Sequence, residues 1–202
     1  MHHLHAHIRR LRRLQKRTLK DVSDRCGFTV SLLSKIESAK TVPPLATLAR
    51  IAAALGVTTG ELLDGTAGAG VVATTAQKLA AQPPTSTEKG YAFHGLAPGR
   101  GGKLMQPFLF IARRGAIRPG PLQHPGEEFI HVLSGRVRYR VGATAHTLGP
   151  GDSLYFDAEE AHDFEPLTAE VRYLGIFAER PAPVPAAAAR PAKTKPRQSS
   201  PR

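Results

Sequence analysis

The sequence predicts an α + β protein of two domains, a bundle of five helices in front and a domain of short strands behind. Three observations lead there. As far as Leu63 the apolar residues recur at intervals of three and four, the spacing of helices that bury one face. From Tyr91 to Phe177 they fall into short alternating runs broken by Gly and Pro, the period of half-buried strands. Between the two, a stretch rich in Gly, Ala, Thr and Pro keeps no period. The expected boundaries are 4–64 for the helical domain, 65–90 for a linker and 91–178 for the strand domain. Residues 179–202 are Pro, Ala, Lys and Arg, without the means to build a core, and read as a disordered tail.

Helix 1 runs from Leu4 to Lys16 on the stripe Leu4, Ile8, Leu11. Thr18 opens a second helix, and Asp21 three residues on completes a capping-box pattern. Val22 and Cys26 point inward, Ser23 is small enough for close helix approach, and Gly27 supplies the turn. Thr29 caps a third helix in which Phe28, Leu33 and Ile36 form the buried stripe and Val30, Ser31, Ser34 and Lys35 the opposite face. Pro43-Pro44 opens a fourth helix, carried by Leu45, Leu48, Ala52 and Leu55, and a short fifth closes the bundle around Glu61–Leu63. Thr75–Ala81 has the makings of a short helix within the linker. In the rear domain Val137, Tyr139 and Val141 alternate with Arg136, Arg138 and Arg140, and Gly149-Pro150-Gly151-Asp152 turns the chain into a strand at Ser153–Phe156.

Charge separates the ends from the middle. The chain of 202 residues carries a net +12, with eleven basic against five acidic side chains in 1–65 but nine of each in 91–178. A basic front and tail around a neutral centre suit a polyanionic partner for the ends. Cys26 is the single cysteine, so no intramolecular disulfide forms, and a reducing compartment, the cytoplasm, is the expected address. No apolar run is long enough to cross a bilayer, and the basic, His-rich first twenty residues do not read as a secretion signal.

The segments Ile8-Arg9-Arg10-Leu11-Arg12, Thr18 to Ser23, Gly27-Phe28-Thr29, Leu33 to Glu37 and Leu48 to Val57 together resemble the lambda-repressor-like helix-turn-helix of the XRE family. The resemblance implies that helix 3 enters the major groove of double-stranded DNA with Val30, Ser31 and Lys35 reading bases. It also implies phosphate contacts from Thr18, Lys20, Thr29, Lys40 and Thr41. Arg12 and Glu37 correspond to a structural ion pair. The sequence departs from the family at Ala39, where Gly is usual, which leaves the exit from helix 3 open to change.

The rear domain resembles a cupin, a jelly-roll barrel, through His124-Pro125-Gly126-Glu127-Glu128 to Gly135 and through Gly149 to Phe156 followed by Ala161-His162. His124, Glu128 and His162 fall on three of the four metal-ligand places of that family, and Leu122 takes the place of the first His. Two readings of this pocket stand side by side. In one, two histidines and a carboxylate hold a divalent metal ion with open positions. In the other, a metal-free pocket hydrogen-bonds an organic effector. His131 and His94 are expected to face away or pack, and the His-rich start (His2, His3, His5, His7) to form a loose terminus.

Joined, the two resemblances imply a transcriptional regulator and not an enzyme. The cupin senses a small molecule, mediates homodimerisation, or does both, and a symmetric dimer favours a palindromic operator. An alternative is a hydroxypropylphosphonate-epoxidase-like, non-haem iron cupin enzyme with an accessory helix-turn-helix domain. It assigns no purpose to Lys35 and the polar face of helix 3. A bundle kept only as an interaction module, and a cupin that only dimerises, are further readings.

Overall fold

A computed structural model describes residues 4–64, 70–100 and 102–178. The front domain is built from α1 (Leu4–Leu14), α2 (Leu19–Cys26), α3 (Val30–Glu37), α4 (Leu45–Leu55) and α5 (Thr59–Asp64), with α6 (Ala76–Ala80) standing in the linker on a Thr75 cap. Helix α1 stops before Lys16, which takes φ +54 and turns the chain out of the helix. The capping box forms as the sequence predicts: the Asp21 N–H donates to the Thr18 hydroxyl at 3.1 Å, and the Thr18 N–H to the Asp21 carboxylate at 2.7 Å. Gly27 ends α2 at φ +66, and a Cβ there would lie 2.8 Å from the Arg50 guanidinium, so both backbone and space call for glycine.

Helix α4 buries eight of its eleven residues and is the centre of the bundle, with Val22, Cys26, Leu33, Ile36 and Leu62 closed around it. Burial of each large aliphatic side chain contributes about 1.5–3 kcal/mol. Burial also pushes the Cys26 thiol up to about 11. Phe28 is only half-buried and lies under the Arg50 guanidinium at 4.3 Å. Arg12 and Glu37 form a bidentate pair at 2.6 and 2.8 Å, with side chains 11% and 6% exposed, tying α1 to the end of α3. His5 does not belong to a loose terminus. It is buried in α1 and its Nδ1 lies 2.6 Å from the Ile36 carbonyl, a donation that holds α1 on α3. His2 and His3 lie outside the described residues.

Among the described residues nine strands follow: β1 (Thr85–Ser86), β2 (Tyr91–Gly95), β3 (Met105–Arg113), β4 (Glu127–Ser134), β5 (Val137–Val141), β6 (Thr144–Leu148), β7 (Ser153–Asp157), β8 (His162–Pro166) and β9 (Glu170–Ala178). They pair antiparallel in two sheets, β1-β2-β3-β9-β4-β7 and β6-β5-β8. The larger sheet thus begins at Thr85, inside the stretch read as linker. Between the sheets lies an aromatic core: Phe110 stacks on Tyr173 at 4.8 Å, and Tyr91, Tyr139, Phe164 and Phe177 fill the rest. Phe110 presses so close to Gly175 that a Cβ there would sit 2.5 Å from its ring. The tail, 179–202, lies outside the described residues, among which no helix is long and apolar enough to cross a membrane.

The two domains meet along the segment that enters the barrel. Pro44 gives α4 no side-chain cap, and the Leu45 N–H instead donates to the buried Tyr91 hydroxyl at 2.9 Å. The Glu88 N–H donates to the Val42 carbonyl at 2.9 Å and the Thr41 hydroxyl to the Glu88 carboxylate at 2.5 Å. On the other side of the junction, the Gln106 side chain lies against Gly60 of α5.

Candidate functional site

The exposed face of α3 is built by subtraction. Leu33 and Ile36 turn into the core, which leaves Val30, Ser31, Ser34 and Lys35 outward, Val30 being 43% exposed. Thr18 and Thr29 accept the capping N–H of Asp21 and Leu32, so each hydroxyl keeps its own proton to donate. Both stand at helix N-termini, where backbone N–H groups and the helix dipole favour an anion. Lys20 pairs with Asp24 at 2.8 Å with both side chains largely exposed, a bond weak enough to give way to a phosphate. Lys40 is exposed. Thr41 differs from the rest, since its hydroxyl is already held by Glu88 from the far side of the linker. Ala39 takes φ +59, so the exit from α3 keeps the left-handed turn that glycine would make, at the cost of strain in an L-residue.

The cupin residues converge. His124, Glu128 and His162 each offer an atom within 4.8 Å of the others, all three side chains being buried. The loop and the turn that bring them together are stitched by backbone: the His124 N–H donates to the Ala158 carbonyl, the Ala158 N–H to Gly126, and Leu122 pairs with His162 in both directions. Leu122 therefore stands beside His162, with no ligand atom to contribute. Carbonyl oxygens fix both imidazoles. The Nδ1 of His124 lies 3.2 Å from the Pro125 oxygen and that of His162 lies 2.9 Å from the Glu160 oxygen. A carbonyl only accepts, so each Nδ1 is the donor there, and each ring turns its Nε2 to the same Glu128 oxygen, at 3.3 and 3.6 Å. Tyr139 donates to the other Glu128 oxygen at 3.4 Å, and Phe177 stacks on His124 at 4.6 Å. Burial holds the His162 imidazole below its usual range and the Tyr139 phenol well above.

Two imidazole Nε2 atoms and a carboxylate turned toward one another form a donor set that could hold a divalent cation. Orientation of each ring through its far nitrogen is the arrangement that metal-ligating histidines need. The donor set fits zinc or iron(II), and three ligands leave positions open for a small molecule. His131 and His94 take no part, both being half-buried away from the triad on strands β4 and β2.

A cleft of about 700 Å³ separates the barrel from the bundle and has His124 on its wall. Gln123, Pro125 and Glu159 line one side, and Arg25, Gly27 and Arg50 the other. No motif announced this cleft, because its walls come from distant parts of the chain.

Comparison with known proteins agrees with both halves. A helix-turn-helix family model matches residues 8–62 and a cupin domain model residues 108–177. Among solved structures the chain is similar to an HTH_3 family transcriptional regulator from Vibrio cholerae, at 18% identity and a TM-score of 0.66, over 88% of this chain and 95% of that one. It is also similar to hydroxypropylphosphonic acid epoxidase from S. wedmorenis, at 19% identity and a TM-score of 0.45, over 86% of this chain and 96% of that one. No curated protein matches the chain.

Proposed function

We propose that this chain, an XRE-type helix-turn-helix protein with a C-terminal cupin domain, is a sequence-specific DNA-binding transcriptional regulator whose cupin domain takes up a small molecule. The observation that carries the reading is the face of α3. A helix whose buried stripe is complete still presents Val30, Ser31 and Lys35 to solvent, at the end of a turn that projects it from the bundle. Lys35 suits guanine O6/N7 and Val30 a thymine methyl. Thr18, Lys20, Thr29, Lys40 and Thr41 set register on phosphates.

The cupin triad His124, Glu128 and His162 holds a divalent metal ion in this reading, and the effector approaches from the interdomain cleft. When bound, the metal supplies a Lewis-acid anchor for an anionic or chelating group. Arg25 and Arg50 on the opposite wall then bring the helix-turn-helix domain into contact with the same ligand. That shared contact gives the effector different affinities for different domain arrangements, which any regulation requires. Homodimerisation is supported by the outer face of the six-stranded sheet, where Pro107, Ile176, Phe129 and Tyr155 form one apolar row across paired strands.

The test is fluorescence anisotropy with DNA from directly upstream of the coding region, against random DNA at several salt concentrations. A specificity ratio on the order of a thousandfold, with log affinity falling linearly in log salt, is the expected result. Equal, weak binding to both DNAs would remove the regulator reading. A second reading, a metal-dependent cupin enzyme, is favoured by the convergence of the triad alone. Glu128→Ala separates the two: a regulator keeps operator binding and loses effector response, and an enzyme loses turnover.

A further inference from the structure

Thr41 stands at the mouth of the loop that follows α3, beside the exposed Lys40. On the DNA-binding reading, from which this inference starts, its hydroxyl faces a phosphate. In the structure that hydroxyl donates to the Glu88 carboxylate at 2.5 Å, and the neighbouring Val42 carbonyl accepts the Glu88 N–H at 2.9 Å. A phosphate and the Glu88 carboxylate seek the same proton and carry the same charge. Both cannot hold Thr41, and their approach to one another is repulsive.

We propose that Glu88 is an internal competitor for the DNA phosphate at Thr41, so that the segment entering the cupin domain sets the affinity of the helix-turn-helix domain for DNA. Glu88 is well placed for this role. Its backbone is fixed by the Val42 bond, and the chain beyond is fixed by Lys89, buried and donating to the Gly120 carbonyl, and by Tyr91, buried and accepting the Leu45 N–H. The latch also stands on the core that carries the metal donors. The Tyr91 ring packs on Phe164 at 5.7 Å, Phe164 on Tyr139 at 5.7 Å, and the Tyr139 hydroxyl reaches Glu128. A shift of Glu128 on occupation of the triad thus has a packed route to the residue three places beyond Glu88.

The experiment measures anisotropy of the full chain on operator and random duplexes for wild type, Glu88→Ala, Glu88→Gln, Thr41→Val and the Thr41→Val/Glu88→Ala pair. Glu88→Ala is expected to bind both DNAs about three- to tenfold tighter, as removal of one like charge from a phosphate contact allows. Glu88→Gln, which keeps the acceptor and loses the charge, falls between. In the Thr41→Val background the gain from Glu88→Ala should drop below half its size on a logarithmic scale, because the freed hydroxyl is absent. Thermal midpoints establish that all four variants are folded. Affinity unchanged or lowered by Glu88→Ala overturns the proposal, and so does a gain of equal size with and without the Thr41 hydroxyl, which marks a general charge effect. If wild type and Glu88→Ala both fail to bind any DNA, the DNA-binding reading falls and the competitor falls with it.

Discussion

Ala39 shows how a single residue carries both a departure from pattern and its consequence. The sequence puts alanine where the resemblance expects glycine, and the structure keeps the glycine-like backbone at φ +59. Ala39→Gly should therefore raise stability by about 0.5–1 kcal/mol, the strain relieved less the extra entropy of an unfolded glycine. A urea midpoint that stays put or falls would show that the turn is not strained. Arg12 makes the opposite case. Its bidentate pair with Glu37 is nearly closed to solvent, so Arg12→Ala leaves a buried carboxylate without its partner and should cost on the order of 3 kcal/mol. The folded protein in the cold should still bind operator as wild type does, since the pair faces the bundle and not the groove. Reduced specificity at unchanged stability would reassign the pair to recognition.

At the level of the element, the proposed function assigns base contacts to α3 and phosphate contacts to residues around it. Lys35→Ala should cost about 1–3 kcal/mol on operator and little on random DNA, whereas Lys40→Ala should weaken both alike and lower the salt slope by about one. Reversal of those two signatures would mean that α3 lies in the groove differently from the XRE pattern. The elements themselves were legible because each rests on local chemistry. Thr18 with Asp21, Thr29 before Val30 and Gly27 between them form caps and a turn that depend on residues a few places apart. The end of α1 was less legible, since Lys16 leaves the helix for a left-handed backbone that no side-chain signal marks. The short strand β1 escaped for a similar reason: Thr85–Ser86 has no alternation of its own and is a strand only because β2 pairs with it.

For the whole molecule the coupling between halves is what matters. If zinc(II) at the triad changes operator affinity by some factor, operator must change zinc affinity by the same factor, about 5- to 150-fold for typical couplings. Calorimetric zinc titration with and without operator should give that reciprocity, and Glu128→Ala should abolish it while leaving operator binding in place. Zinc affinity indifferent to operator would remove the triad metal from any coupling between the halves.

The sequence by itself determined the two fold classes, the helix caps, the outward face of α3 and the residue types that meet at 124, 128 and 162, because each is written in spacing along one element or in one motif. Tertiary structure decided the rest. Only the tertiary fold brought His124 and His162 to one and the same oxygen of the Glu128 carboxylate, with their Nδ1 atoms against carbonyls that fix how the rings turn. His5 looked like part of a loose terminus until the packing of α1 on α3 gave it the Ile36 carbonyl. Above all, the bonds from Glu88 to Thr41 and from Leu45 to Tyr91 span more than forty residues, and no local propensity reports a partner at that distance. Such contacts exist only once the two domains are packed on one another, because only tertiary structure brings a carboxylate and a hydroxyl so distant in sequence within reach.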